Sequence, residues 1–148
     1  MQLKDYLTPH LIFFEEKPLS KEESIKLLCR RIADDQQLDA PSLFGEVMER
    51  ENKMTTGMGS HIAVPHARID SLDRFHTACL VSKNGIDFDA LDEKLVHIVV
   101  LLLSPKRMVK EHIALLSKIS YFLTDKENFK KIMETSSIKE IQEMVRLY

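Results

Sequence analysis

Thr55-Thr56-Gly57-Met58-Gly59-Ser60-His61-Ile62-Ala63-Val64-Pro65-His66-Ala67-Arg68 is the stretch around which this chain is organised. Two glycines two apart allow a tight turn and leave backbone N–H groups unshielded. The apolar run Ile62-Ala63-Val64 reads as a short buried strand. Pro65 has no N–H to donate and a fixed φ, so it stops the hydrogen-bond ladder there. His66 is then presented at the end of a rigid strand, beside a donor-rich loop and two residues from Arg68.

Outward from this stretch, the elements follow by pattern. Upstream, residues 2–8 read as a short helical turn ending near Pro9, and residues 10–14 as a first strand. Ser20-Lys21-Glu22-Glu23 is a capping box that opens a helix, and Ile25, Leu28, Cys29 and Ile32 fall on one face of it. Asp39 caps a second helix with Pro41 in its first turn; Leu43, Phe44, Val47 and Met48 form its inner face, and Arg50 lies in its last turn. Downstream, residues 75–82 alternate as a strand, with Thr77, Cys79 and Val81 on one side and Ala78 and Leu80 on the other. Asn84-Gly85 is a turn signal, and residues 86–89 are extended. Residues 96–103 are nearly all apolar without alternation, the pattern of a central strand covered on both faces, and Pro105 ends it. A helix follows over 108–123, with Ile113, Leu116, Ser117 and Ser120 facing the sheet and His112 in its first turns. Two shorter helices span 127–134 and 137–147, the second opened by Ser136 or Ser137. The fold class is α/β, or an α+β sandwich, with a mixed sheet.

Composition bounds what such a domain does. A single domain over residues 1–148 is expected, with 44% apolar and 30% charged residues. With 21 basic and 23 acidic residues the net charge is −2, so there is no basic footprint for nucleic acid and no polybasic membrane patch. The longest apolar run, residues 98–103, is too short to span a bilayer, and the N-terminal residues lack a signal-peptide pattern. Cys29 and Cys79 make no disulfide framework, which suits reduced thiols in a cytoplasmic protein.

Chemistry narrows to the histidines. A neutral imidazole nitrogen is a nucleophile at physiological pH, and phosphoryl transfer asks mainly for in-line positioning and neutralisation of three equatorial oxygens. Arg50 and Arg68 offer charge, and the amides after Thr56, with Gly57 and Gly59, offer donors. His66 is therefore either a phosphoryl-carrying nucleophile or a histidine satisfied at a strand end. His10 and His97 read as structural or surface residues, and His76 beside Cys79 lacks the orienting group a Cys–His pair needs. His61 and His66, five apart on one strand, would point to opposite faces, so no zinc site is expected. No metal and no cofactor is called for, and no Lys-Ser or Lys-Thr follows Gly59 to make a P-loop.

Arg50-Glu51, Thr56-Gly57-Met58-Gly59, Ile62-Ala63-Val64-Pro65-His66, Ile86-Asp87-Phe88, the apolar strand ending near Pro105 and Glu111-His112-Ile113, in this order, resemble the fructose/mannitol-type enzyme IIA domains of the bacterial phosphotransferase system. The resemblance spans about residues 3 to 147. It implies a mixed five-stranded sheet flanked by helices on both faces. It implies that His66 accepts a phosphoryl group from an HPr-type carrier and that His112 positions the phosphoryl group or the imidazole. Arg50 would neutralise charge, and the group would pass in trans to an enzyme IIB cysteine. Thr56-Gly57-Met58-Gly59 with Ala63-Val64-Pro65-His66 looks most like the stand-alone nitrogen-regulatory type, whose phosphorylation state controls target proteins. A sugar-specific carrier and an unphosphorylated binding module are the alternatives. Two departures stand out: Ser60-His61 where fructose-type members often carry Asn-Gly, which puts an imidazole near the active loop, and the basic run Lys106-Arg107-Met108-Val109-Lys110.

Overall fold

A computed structural model describes residues 1–7 and 9–148. One 3-10 turn spans Leu3–Asp5 and a second Pro9–Leu11, so the first strand, β1, is shorter than its sequence pattern and covers only Ile12–Phe14. Residue 8, at the end of the helical turn expected over 2–8, lies outside the described residues. Next come α1 (Lys21–Gln36), α2 (Ala40–Glu51), β2 (Gly57–Gly59), β3 (Ile62–Ala63), β4 (His66–Ile69), β5 (His76–Ile86) and β6 (Val96–Pro105). Helices α3 (Val109–Thr124), α4 (Lys126–Glu134) and α5 (Ile138–Val145) close the chain.

The helix starts follow from local chemistry. Ser20 Oγ accepts from the Glu23 N–H at 3.1 Å while Glu23 Oε1 accepts from the Ser20 N–H at 3.0 Å, so two orphan donors of α1 are satisfied. Asp39, Asp125 and Ser137 cap α2, α4 and α5 through a single such bond, each side chain accepting from the N–H three residues on.

β6 is the centre of the sheet. It runs antiparallel to β5 and parallel to β3 and β4, while β1 is parallel to β5 and β2 antiparallel to β3. The order is β1-β5-β6-β3-β2, with β4 continuing the line of β3 along β6. The sheet is mixed and holds six strands rather than five, because Val64 and Pro65 divide one line into two strands. Along β6, Val99, Leu101 and Leu103 enter the core shared with α1 and α2. Ile98, Val100 and Leu102 enter the core shared with α3, α4 and α5. Period-two alternation with helices on both faces is why this strand reads as unbroken apolar sequence.

Three local expectations change. His66 does not end a strand; it begins β4, pairing with Leu102 of β6, because the chain resumes the ladder once past Pro65. Asn84-Gly85 is not a reversal. Both lie inside β5, where the pairing shifts from Val81↔Ile98 to Ile86↔Val96, so the dipeptide forms a bulge, and the reversal falls to residues 87–95. The buried face of α3 is also displaced by one residue. His112, Leu115, Ile119, Phe122 and Leu123 face inward, whereas Ile113 is 58% exposed, Ser117 is exposed, and Leu116 and Ser120 are half-buried. A polar residue, His112, occupies the inward position at the start of the helix, so a pattern anchored on Ile113 is rotated outward.

Gly85 has φ +85°, and a Cβ there would lie 2.9 Å from Leu95 Cδ1 and 3.1 Å from His97 Cε1. Gly85→Ala is expected to lower stability by about 2 kcal/mol through left-handed strain and this overlap. A drop in the urea midpoint with unchanged slope checks it.

Candidate functional site

The site is assembled at the C-terminal end of α2. Glu51 is buried, and its Oε1 accepts from the Thr56 N–H at 2.8 Å and from Lys21 Nζ at 2.8 Å. Its Oε2 accepts from Thr56 Oγ1 at 2.7 Å. One carboxylate thus ties the end of α2 to the start of α1 and to the turn before β2. Arg50, the residue before it, donates from Nη1 to the carbonyl of Met54 at 2.9 Å, beyond the helix end. This ties the side chain to the turn that follows the helix and places a cation where the helix dipole is negative.

His66 is half-buried at the start of β4, and its Nδ1–H donates to the Val64 carbonyl at 2.8 Å. A carbonyl only accepts, so Nδ1 carries the proton and Nε2 is the nitrogen with a free lone pair. Burial first, and then the Arg50 charge, lower the His66 pKa below its ordinary 6.5, with the Val64 hydrogen bond opposing. His66 is therefore neutral at pH 7.

His112, only 5% exposed, projects from the first turns of α3, its ring centroid 5.3 Å from that of His66. Its Nδ1 lies 2.7 Å from Ser104 Oγ at the end of β6. Burial, with the nearby His66 and Arg68, pushes its pKa down to about 4. Arg68 is exposed and donates from Nη1 to the Lys106 carbonyl at 3.2 Å. His66, His112, Arg50 and Arg68 line one cleft of about 280 Å³, with Lys53, Glu46 and Glu49 of the α2 region.

Tertiary structure therefore brings together four of the seven residues singled out by sequence. Thr56, Gly57 and Gly59 do not line this cleft. The Thr56 N–H is held by Glu51 and the Gly57 N–H by Thr55 Oγ1 at 3.1 Å, and Gly57 and Gly59 pair with β3. A Cβ at Gly57 would meet Ala90 at 3.0 Å, so this glycine permits a close approach, and Gly59 takes φ +100°. Ser60 and His61 both take left-handed backbone, φ 57° and 65°, to turn β2 into β3. The His61 ring leaves the cleft, stacking 5.8 Å from Phe129 and sharing a 2.8 Å hydrogen bond from Nδ1 to the Leu95 carbonyl. Lys106, Arg107 and Lys110 are exposed.

Sequence reading missed Glu46, Glu49 and Lys53, although with Arg50 they recur at i, i+3, i+4 and i+7, the spacing of one helix stripe. It also missed Ser104, for which no local signal exists. Elsewhere, burial pushes the Cys79 and Cys29 thiols up to about 12, so neither offers a thiolate nucleophile. Among the described residues no helix is long and apolar enough to cross a membrane.

A neutral imidazole with one free nitrogen, facing a cleft whose two guanidiniums and one ammonium outnumber the carboxylates of Glu46 and Glu49, can capture an anion and accept a transferring electrophilic group. Comparison with known proteins bears on which group. Residues 5–147 match the family model described as phosphoenolpyruvate-dependent sugar phosphotransferase system, EIIA 2. The chain is 33% identical over 141 residues to the PTS system fructose-specific EIIA component of Haloferax volcanii, covering 94% of this chain and 92% of that protein. It is 26% identical over 147 residues to a nitrogen regulatory protein of Bradyrhizobium diazoefficiens, covering 99% and 96%. Among solved structures, the nitrogen regulatory protein IIA-Ntr of Neisseria meningitidis superposes with a TM-score of 0.88 at 25% identity, covering 96% of this chain and 97% of that one. The fold is shared with the IIA component in a complex of IIA mannitol and phosphorylated IIB mannitol from Escherichia coli, TM-score 0.79 at 20% identity, covering 94% and 96%.

Proposed function

The chain belongs to the phosphoenolpyruvate-dependent sugar phosphotransferase system EIIA 2 family, and from that premise we propose that it is a phosphohistidine carrier whose acceptor is Nε2 of His66. The observation that carries this is the Nδ1–H of His66 held on the Val64 carbonyl, which leaves Nε2 as the nucleophile in a cleft lined by Arg50, Arg68 and His112. The donor is a phosphohistidine on an HPr-type carrier protein. The Nε2 lone pair attacks phosphorus in line, the bond from phosphorus to the donor imidazole breaks, and its electron pair returns to the donor nitrogen. Arg50 and Arg68 neutralise the equatorial oxygens, and His112 positions the phosphoryl group. As Nε2 bonds to phosphorus the His66 ring gains positive charge, and the Val64 carbonyl stabilises it through the retained Nδ1–H. We place the carrier in the cytoplasm, where the buried free thiols of Cys29 and Cys79 stay reduced.

Of the two branches of the family, we favour the nitrogen-type regulatory one. It is supported by the TM-score of 0.88 to IIA-Ntr at 25% identity. Adding nearly two negative charges to a cationic cleft changes what the surrounding surface attracts, which is how such a site acts as a switch on target proteins. The 33% identity to a fructose-specific EIIA component supports the second reading, a sugar-specific carrier that passes the group in trans to a cysteine thiolate of an EIIB domain.

Intact-protein mass after incubation with phosphoenolpyruvate, enzyme I and an HPr-type carrier tests the carrier role. One acid-labile gain of about 80 Da is expected, the mass of a phosphoryl group. No gain with any donor would overturn it in favour of an unphosphorylated binding module. Adding EIIB domains to the labelled protein then separates the branches, because only the sugar-specific carrier should be drained rapidly. Arg50→Ala and His112→Ala are each expected to label about 100-fold more slowly, the cost of one lost donor to developing charge. Rapid-quench rates check this, and unchanged rates would remove both from the site.

A further inference from the structure

The His112 imidazole is neutral over the working range, since its pKa is pushed down to about 4. A neutral imidazole has one donor nitrogen and one acceptor nitrogen, so what His112 offers the cleft depends entirely on its tautomer. Sequence proximity decides nothing here, because Ser104 ends β6 and His112 lies in the first turns of α3. The fold brings Ser104 Oγ within 2.7 Å of His112 Nδ1. Both ends of this contact are held. Ser104 pairs with Arg68 across the β4–β6 ladder, and the His112 N–H donates to the Met108 carbonyl at 3.0 Å.

We propose that Ser104 is a positioning residue that sets the tautomer of His112. Its hydroxyl donates to Nδ1, so the ring proton stays on Nε2 and His112 presents a donor to a phosphoryl oxygen on His66. The inference rests on the phosphocarrier reading for its purpose, though the tautomer itself can be observed without any donor protein.

Two costs exclude the reverse arrangement. Ser104 is fully buried, and among the described residues His112 is the only hydrogen-bond partner of its hydroxyl. If Nδ1–H donated to Oγ, the serine O–H would have no acceptor in a site without water access, a penalty paid by the folded state. Nε2 of His112 would then turn a lone pair toward phosphoryl oxygens, repelling what the cleft must hold. With Ser104 as donor, both protons are used, and the two histidines take complementary tautomers. His66 carries its proton on Nδ1 and keeps Nε2 as nucleophile; His112 carries its proton on Nε2 and acts as donor. Second partners of this kind commonly orient an imidazole and choose its protonated nitrogen.

The test is two-bond proton–nitrogen correlation NMR of the histidine side chains in uniformly nitrogen-15-labelled protein at pH 7, with rates of phosphoryl uptake measured alongside. The parent should show His112 protonated at Nε2 and His66 at Nδ1. In Ser104→Ala the His112 tautomer should become mixed while His66 stays as it was, and uptake should slow about tenfold. Ser104→Thr, which keeps the hydroxyl, should restore both. A His112 protonated at Nδ1 in the parent, or a tautomer unmoved by Ser104→Ala, would overturn the proposal. If the tautomer shifts as expected but the parent takes up no phosphoryl group, the carrier reading fails and the role of Ser104 in setting the ring stands.

Discussion

His66→Ala is expected to take up no phosphoryl group from an HPr-type donor, under conditions in which the parent is expected to gain one. The effect is expected to be complete, because the substitution removes the nitrogen proposed to form the new bond. The neighbouring ring does not substitute for it. His112 is turned by its contact with Ser104 at 2.7 Å, and its Nε2 serves as donor in the proposed arrangement. Retained labelling at an intact-protein mass about 80 Da higher in the variant would refute His66 as acceptor. The pH profile of the parent adds a second check. Burial and the Arg50 charge lower the His66 pKa below 6.5, so the neutral nucleophile persists to lower pH than it does in a free imidazole. Uptake should therefore decline only at lower pH than the titration of a free imidazole would impose. A profile with its midpoint at or above 6.5 would mean that the ring protonates more easily than its buried position allows.

Glu51→Ala is expected to be the most destabilising single change near the cleft, by about 3 kcal/mol. Glu51 Oε1 accepts from the Thr56 N–H and Lys21 Nζ, and Oε2 from Thr56 Oγ1, with the Glu51 side chain only 1% exposed. Removing the carboxylate leaves the Thr56 N–H and hydroxyl buried without their acceptor, and each such orphan costs about 1–3 kcal/mol. Lys21, 17% exposed, keeps a route to water along its stem, so the unpaired amine adds less than a sealed charge would. Urea unfolding checks the magnitude, and an unchanged midpoint would show the network to be idle. Arg50 is the residue before Glu51 and holds the turn after the same helix end through the Met54 carbonyl, so the variant should also take up the phosphoryl group more slowly than the parent at temperatures where it remains folded. Glu51→Gln should fall between the two, since its amide oxygen still accepts one Thr56 bond but offers no charge to Lys21.

How much of this was readable in the chain differs element by element, for physical reasons. The capping box at Ser20 and Glu23, the inner face of α1 through Ile25, Leu28, Cys29 and Ile32, and the central position of β6 depend on local hydrogen bonds and on periodicity. Those are properties of neighbouring residues, and they hold in the folded protein. The ordered set from Arg50-Glu51 through Pro65-His66 to Glu111-His112 likewise carried the family on its own, because its order and spacing are specific. What sequence could not decide is which partner a group finds across the fold. The loop amides after Thr56 looked free for an anion, yet Glu51, Thr55 and β3 take the Thr56 and Gly57 segment into their own bonds. Asn84-Gly85 has the chemistry of a turn, but β6 lies alongside on both sides of it and the strand continues through a bulge. The inward face of α3 includes a histidine that no hydrophobic pattern would choose, because there the helix borders the cleft it shares with α2 and β4 rather than the core. The tautomer of His66 depends on a carbonyl two residues away, and that of His112 on a hydroxyl at the end of another strand. Residue types named the candidates; only packing sets how each ring is turned and which nitrogen it leaves free.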